Sequence, residues 1–211
     1  MIPLWVKLGY SAFTAVLVPI YLTTYGPTNF VYFCDVALLF TLAAVWTESP
    51  LLAGMPAVGI VLPQLFWVAD FVAGFFGVSP IGLAEYMFRE TIPLGARALS
   101  LFHGWLPFLL LWLVWRLGYD RRAFPAWTAL AWMLLLVSYF ALPGPPAPAD
   151  DPNLPVNVNY VYGLSETTRQ TFLPPLVYLG AMMVLLPLAA WWPTHLFLVR
   201  FAPDSALRGA R

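Results

Sequence analysis

Three ionisable residues, Asp35, Asp70 and His103, stand inside long apolar stretches of the sequence. An ionisable side chain near the centre of a membrane-spanning helix costs about 2.5–3.5 kcal/mol, so such residues are functional candidates by default. Counted along the predicted helices, all three lie about 9–11 Å below the same membrane boundary. Two acids and an imidazole at one depth are therefore the main candidates for chemistry in this chain.

Three chemistries fit this set of residues. In the first, an aspartate orients His103 as a general base, and Cys34 or Thr28 is the nucleophile. In the second, Asp35, Asp70 and His103 bind a divalent metal that activates water, and no other cofactor is predicted. In the third, the same residues exchange protons while a small solute crosses the membrane. The alternative without chemistry is that they form hydrogen bonds between helices.

Further polar residues are predicted to bind a substrate at similar or shallower depth. Asn29 and Asn159 could donate hydrogen bonds to an oxyanion. Pro63 and Pro107 each remove a helical hydrogen-bond donor, which is tolerated in a membrane only where protein or a water-filled cavity covers the gap. The predicted substrate-binding residues are Asn29, Gln64, Arg97, Asn157, Asn159 and Tyr160.

The composition indicates what kind of chain must position these residues. Of its 211 residues, 61% are hydrophobic and only 9% are charged, whereas a soluble globular domain has about 25% charged residues. This excludes a soluble enzyme, a nucleic-acid-binding domain and a disordered chain, and it predicts an integral membrane protein whose partners are lipids. The single cysteine excludes an internal disulfide and a cysteine metal cage.

The predicted fold is all-α: one transmembrane domain, residues 1–211, built as a bundle of six helices. Six apolar stretches approach or exceed the roughly 20 residues that a membrane-spanning helix requires. They cover residues 4–24, 28–47, 51–76, 96–117, 124–142 and 172–199, and residues 143–171 form a long loop on one side.

The basic residues predict the orientation of these helices. Six spans place Lys7, Arg116, Arg121, Arg122, Arg200, Arg208 and Arg211 on one side, and Arg89, Arg97 and Arg169 on the other. The cytoplasmic loops of membrane proteins are enriched in basic residues. Both termini are therefore predicted to be cytoplasmic, in a bacterial inner membrane. The long loop is then outside, and we predict that its segment Asn157–Gly163 forms an ordered lid over the membrane face.

Three short motifs resemble a known group of membrane proteins. They are FCD early in the second span, LFHGWLP early in the fourth, and NVNYVYG before the last. Their order resembles the bacterial YwaF-type six-span membrane proteins and, more remotely, the androgen-induced family of membrane fatty-acid-ester hydrolases. The relatives tend to have histidine pairs where this chain has one histidine, and the hydrolases use a threonine nucleophile, which FCD lacks.

This resemblance implies lipid-ester chemistry at the outer side of the membrane. His103 would correspond to the catalytic histidine, Asn159 and Tyr160 to the Asn-Tyr motif, and Cys34 or Thr28 would stand near the nucleophile position. The sequence therefore predicts a hydrolase or acyltransferase acting on a lipid ester from the outer leaflet. The alternative is a non-catalytic protein that binds or moves a small ligand or lipid, or a partner subunit.

Overall fold

The computed structural model describes residues 1–165 and 167–205, so Arg208 and Arg211 of the charge count lie outside the described residues. Over these ranges the chain is helical, and no β-strand is present in them. The α-helices are α1 Leu4–Thr24, α2 Phe33–Thr47, α3 Pro50–Gly74, α4 Leu94–Leu99, α5 Phe102–Leu117, α6 Ala123–Ala141, α7 Pro175–Leu186 and α8 Trp192–Phe201.

Five helical stretches are long and apolar enough to cross a membrane. These stretches are α1, α3, the α4–α5 pair, α6, and the α7–α8 pair, which a π-helical turn at Pro187–Trp191 joins. The π-helical turn precedes Pro193, which has no backbone N–H for the carbonyl four residues earlier. The prediction of an all-α chain is confirmed for the described residues, as is the prediction of several helices long and apolar enough to span a membrane.

The second predicted span is shorter than expected. Residues 28–47 were expected to be one helix, but α2 begins only at Phe33 and has 15 residues, a length of about 22 Å. A 3₁₀ turn, Pro27–Val31, occupies the start of the predicted span. Gly26, with φ of 78°, and Pro27 together turn the chain there. Five helical stretches of the described residues are therefore long enough to cross a bilayer, and α2 is a sixth, shorter apolar helix.

Helix α3 lies at the centre of the bundle. In its apolar stretch 61% of the residues are buried, compared with 17% in the α7–α8 stretch. Helix α3 packs on α2, α5 and α6, and its small residues allow close contact. At Gly59 the ring of Trp127 from α6 occupies the space that a side chain would need. We name the end of the bundle where α1 begins the inner end, after the predicted orientation, and the opposite end the outer end.

An ion pair closes the inner end of the α1–α2 pair. The Lys7 ammonium donates a hydrogen bond to the Glu48 carboxylate at 2.7 Å, and the Lys7 ammonium also lies 5.7 Å from the centre of the Trp46 ring. This hydrogen bond from Lys7 lowers the pKa of the Glu48 carboxyl below its ordinary value. Glu48 ends α2 in a left-handed conformation, with φ of 53°, and α3 begins two residues later.

Candidate functional site

The short connection between α2 and α3 sets the relative depth of the candidate residues. Asp35 lies twelve residues before the inner end of α2 and His103 fourteen residues before that of α5, which is about 18 Å and about 21 Å. Asp70 lies twenty residues beyond the inner end of α3, or about 30 Å. The outer ends of the spans are therefore not level, and Asp70 lies about 10 Å further out than Asp35 and His103 do. This corrects the predicted common depth.

Asp70 organises the linker that follows α3. Its two carboxylate oxygens accept backbone hydrogen bonds from Ile81 at 3.0 Å, Gly82 at 3.4 Å and Ala84 at 2.9 Å, and the Ser79 hydroxyl donates at 3.3 Å. Several donors thus compensate the charge of this buried carboxylate. The structure gives Asp70 this role in folding where orienting His103 is predicted.

Asp35 is buried but only half satisfied. Its side chain is 3% exposed. Oδ2 accepts a hydrogen bond from the Asn29 amide at 3.1 Å and a weak one from the Cys34 thiol at 3.7 Å. Oδ1 has no hydrogen-bond partner within the described part of the chain. No Lys, Arg or His of residues 1–165 and 167–205 lies within 4.0 Å of this carboxylate. A buried, unpaired acceptor of this kind is costly.

The Tyr21 phenol lies near the Asp35 carboxyl, and other tyrosines lie near Tyr21. The Tyr21 hydroxyl lies 2.6 Å from the Ser100 hydroxyl, and Asp35, Tyr25 and Tyr86 are its electrostatic neighbours. The rings of Tyr21 and Tyr25 meet edge to face at 5.2 Å. Burial raises the pKa of the Tyr86 phenol, in the linker before α4, well above its ordinary value.

Tyr86 connects this group to the outer loop. Its phenol forms a hydrogen bond with Ser100, and Cys34, Tyr25 and Tyr160 are its electrostatic neighbours. Tyr21, Tyr25, Tyr86 and Tyr160 are hereafter the tyrosine cluster. The cluster brings together α1, the linker before α4 and the outer loop beside the start of α2.

His103 is held by a backbone carbonyl three residues earlier in the chain rather than by an acid. Its Nδ1 lies 2.7 Å from the Ser100 carbonyl oxygen. Because a carbonyl only accepts, Nδ1 carries the proton and Nε2 is the basic nitrogen of the neutral ring. The imidazole stacks on Trp67 at 4.7 Å and on Phe102 at 4.1 Å. In the described residues no hydrogen bond joins His103 to Cys34 or to either aspartate, so the predicted orienting acid is replaced by the Ser100 carbonyl.

The asparagines of the outer loop are structural. The Asn159 carbonyl accepts from the Phe33 backbone N–H at 2.9 Å, and its amide donates to the Val31 carbonyl at 3.0 Å and to the Ser138 hydroxyl at 3.1 Å. Asn159 therefore caps α2 from a distant loop. The residue that precedes the helix, Tyr32, supplies no side-chain cap of its own. The structure corrects the predicted oxyanion role, since both amide hydrogens already have acceptors.

Asn157 holds the same segment together. Its amide donates to the Gly163 carbonyl at 2.7 Å and to the Ser165 carbonyl at 2.9 Å, and its carbonyl accepts from the Tyr162 backbone N–H at 2.8 Å. The structure thus gives Asn157 a folding role where substrate binding is predicted. This segment, residues 157–163, contacts α6 and the Pro27–Val31 turn, and Asn159 also bonds the first residue of α2. That it acts as a lid stays a prediction.

The remaining predicted residues provide unpaired polar atoms. Arg97 donates from its Nη1 to the Met87 carbonyl at 3.1 Å. Gln64 is buried on α3 near the level of Asp35. Among the described residues, buried atoms without a hydrogen-bond partner include Thr28 Oγ1, Asp35 Oδ1, both polar atoms of Gln64, Trp67 Nε1, Arg97 Nε and Trp127 Nε1. Of the residues in this list, Trp127 alone lies near the inner end of the bundle, in the first turns of α6.

No three His, Cys, Asp or Glu side chains converge within the described ranges. The arrangement therefore gives no support to the predicted divalent metal between Asp35, Asp70 and His103.

Sequence reasoning missed Tyr21, Tyr25, Tyr86 and Ser100. A signal for Tyr21 was present, because the buried face of α1 reads Val6, Tyr10, Thr14, Leu17 and Tyr21. This spacing of three or four residues places Tyr21 on the face that packs inward. Tyr86 and Ser100 carry no comparable signal, since both stand in irregular turns.

Comparisons of the chain with protein-family models, with curated proteins and with solved structures give no match.

Proposed function

We propose that this chain is a bacterial inner-membrane protein that binds a small polar ligand, or the polar head of a lipid, at Asp35. In this proposal α2 crosses the membrane together with the Pro27–Val31 turn, which makes six spans and leaves both termini in the cytoplasm. The site then lies in the outer half of the bundle. The Asn157–Gly163 segment covers it from outside.

The observation that carries the proposal is the unpaired Oδ1 of Asp35. A carboxylate that is buried in apolar surroundings normally has several hydrogen-bond donors, as Asp70 has in this same chain. Asp35 has the Asn29 amide and a distant thiol. A ligand that supplies the missing donor would recover the cost of this unpaired acceptor.

Binding fits the geometry better than hydrolysis does. A catalytic nucleophile needs its base within hydrogen-bond reach. The predicted base is His103, but the weak hydrogen bond of the Cys34 thiol goes to the Asp35 carboxylate. A carboxylate next to a thiol disfavours the reactive thiolate. The lipid-ester hydrolase or acyltransferase that the sequence predicts stays a prediction, with His103 Nε2 as its base.

The proposal is tested with Cys34, the single cysteine of the chain, which is half-buried beside Asp35. The reagent is 2-(trimethylammonium)ethyl methanethiosulfonate, a small thiol reagent that does not cross membranes. Added to sealed, right-side-out membrane vesicles, it is expected to modify Cys34 because the site opens outward. The Cys34→Ala chain, which has no thiol, is expected to stay unmodified.

Arg121→Cys in the Cys34→Ala background is the matched control for orientation. Arg121 lies in the linker between α5 and α6 and its side chain is 67% exposed. This cysteine should react only after the vesicles are permeabilised. A Cys34 that stays unmodified in permeabilised vesicles as well, or an Arg121→Cys thiol that reacts in sealed vesicles, contradicts the proposal.

A further inference from the structure

We infer that the ligand of the Asp35 site is a primary ammonium group, either on a lipid or on a free amine. This inference rests on the proposed function and names the chemical class of its ligand.

The charge balance around Asp35 favours a cation. Within residues 1–165 and 167–205 no Lys, Arg or His lies in ion-pair distance of this carboxylate. Arg97, in the short helix before α5, donates instead to the Met87 carbonyl. An anionic ligand such as a phosphate or carboxylate would add like charge beside Asp35 at a site without a basic partner. An ammonium group would neutralise the buried carboxylate.

The hydrogen-bonding pattern favours N–H donors on that cation. Oδ1 of Asp35 is an acceptor without a donor among the described residues. The Ser100 hydroxyl lies 3.2 Å from the Ala96 carbonyl and 2.6 Å from the Tyr21 hydroxyl. When Ser100 donates to the carbonyl, the Tyr21 hydroxyl is the donor in the second contact. The Tyr21 oxygen then keeps a lone pair for a further donor. A primary ammonium has three N–H donors, whereas a quaternary ammonium has none.

The tyrosine cluster provides the surface that a cation prefers. Tyr21 and Tyr25 present rings at right angles, 5.2 Å apart, and Tyr86 and Tyr160 approach from two other segments. The face of a phenol ring carries partial negative charge and attracts a cation within about 6 Å. One carboxylate with several phenols is a combination that suits an ammonium group and no anionic group.

The test compares ligands that share an octyl chain and differ in the polar group. Purified full-length protein in detergent is titrated with octylamine, octanol or octyltrimethylammonium, and its unfolding temperature is followed by tryptophan fluorescence. Octylamine is expected to raise the unfolding temperature more than the other two ligands do. Ethanolamine, a soluble primary amine, is titrated in parallel.

Two variants locate the effect. Asp35→Asn keeps the shape of the side chain and removes its charge. We expect it to weaken the affinity for octylamine about tenfold or more, which is the scale of a hydrogen bond to a charged group. Glu48→Gln makes the same change at the inner end, outside the site, and should leave the response unchanged.

The outcomes separate the sources of the amine and the two proposals. A response to ethanolamine equal to that of octylamine identifies a free amine as the ligand, and a response to octylamine alone identifies an amine on a lipid. Equal responses to octylamine and octanol in the wild-type protein, or an unchanged octylamine response in Asp35→Asn, overturn the inference. If octanol slows the modification of Cys34 and octylamine does not, the proposed function stands and the ammonium inference fails.

Discussion

We expect Gly59→Ala to destabilise the bundle by about 3 kcal/mol, at the upper end of the usual cost of overpacking a core. A Cβ atom at this position would lie 1.9 Å from Cε2 of Trp127 and 2.3 Å from its Nε1. Trp127 is fully buried on α6, so its rigid ring has no exposed space to move into. The added methyl group must therefore push α3 and α6 apart at the centre of the bundle.

Reversible unfolding in detergent with increasing sodium dodecyl sulfate measures this effect. Gly180→Ala is the matched control, because Gly180 lies within α7 and no atom stands within 4 Å of an added Cβ there. Alanine has the higher helix propensity, so the control should be neutral or slightly stabilising. A Gly59→Ala protein as stable as the Gly180→Ala protein would show that α3 and α6 are not packed as described.

We expect Asn159→Ala to lower the free energy of unfolding by about 3 kcal/mol, because it removes three hydrogen bonds, one buried and two half-buried, and leaves their partners unpaired. These partners are the first N–H of α2, the Val31 carbonyl and the Ser138 hydroxyl. Asn159 also has a left-handed backbone conformation, with φ of 57°, which asparagine tolerates better than alanine.

Asn159→Gly separates the two causes. Glycine accepts the left-handed conformation but cannot make the hydrogen bonds, so we expect it to recover about 1 kcal/mol of the loss and no more. Asn153→Ala is the control in the same loop, since Asn153 is half-buried there and makes one hydrogen bond, to the Thr91 carbonyl. Equal stability of Asn159→Ala and Asn153→Ala would contradict the capping role of Asn159.

Most helix bounds follow from local sequence. Helix α1 covers Leu4–Thr24 as predicted, and α3 and α6 begin and end within two residues of prediction. In each case an apolar run is bounded by proline, glycine or charged residues, which are local signals. Helix α2 is the exception, because its cap is Asn159, 126 residues away from Phe33. No local pattern contains that information.

The site was predictable only in part, for a similar reason. Hydropathy singles out Asp35, Asp70 and His103 as ionisable residues within apolar stretches, and all three are buried. The partners of these residues depend on how helices turn about their axes and on where the linkers fold. The linker after α3 turns back to Asp70, and the Ser100 carbonyl accepts a hydrogen bond from His103 Nδ1–H. Both contacts come from irregular segments, whose conformation has no periodic signal in the sequence.

We propose that Asp35 is an anionic group in a site open to the outside, and the charge preference of Cys34 modification measures this. The rates of modification by the cationic trimethylammonium-ethyl and the anionic sulfonatoethyl methanethiosulfonates are compared, each divided by its rate with a free thiol in solution. We expect the cationic reagent to react about tenfold faster, since a charged, weakly screened cleft concentrates counter-ions. The ratio should fall towards one in Asp35→Asn and stay unchanged in Glu48→Gln. Equal rates in the wild-type protein, or a preference that survives Asp35→Asn, would contradict the account.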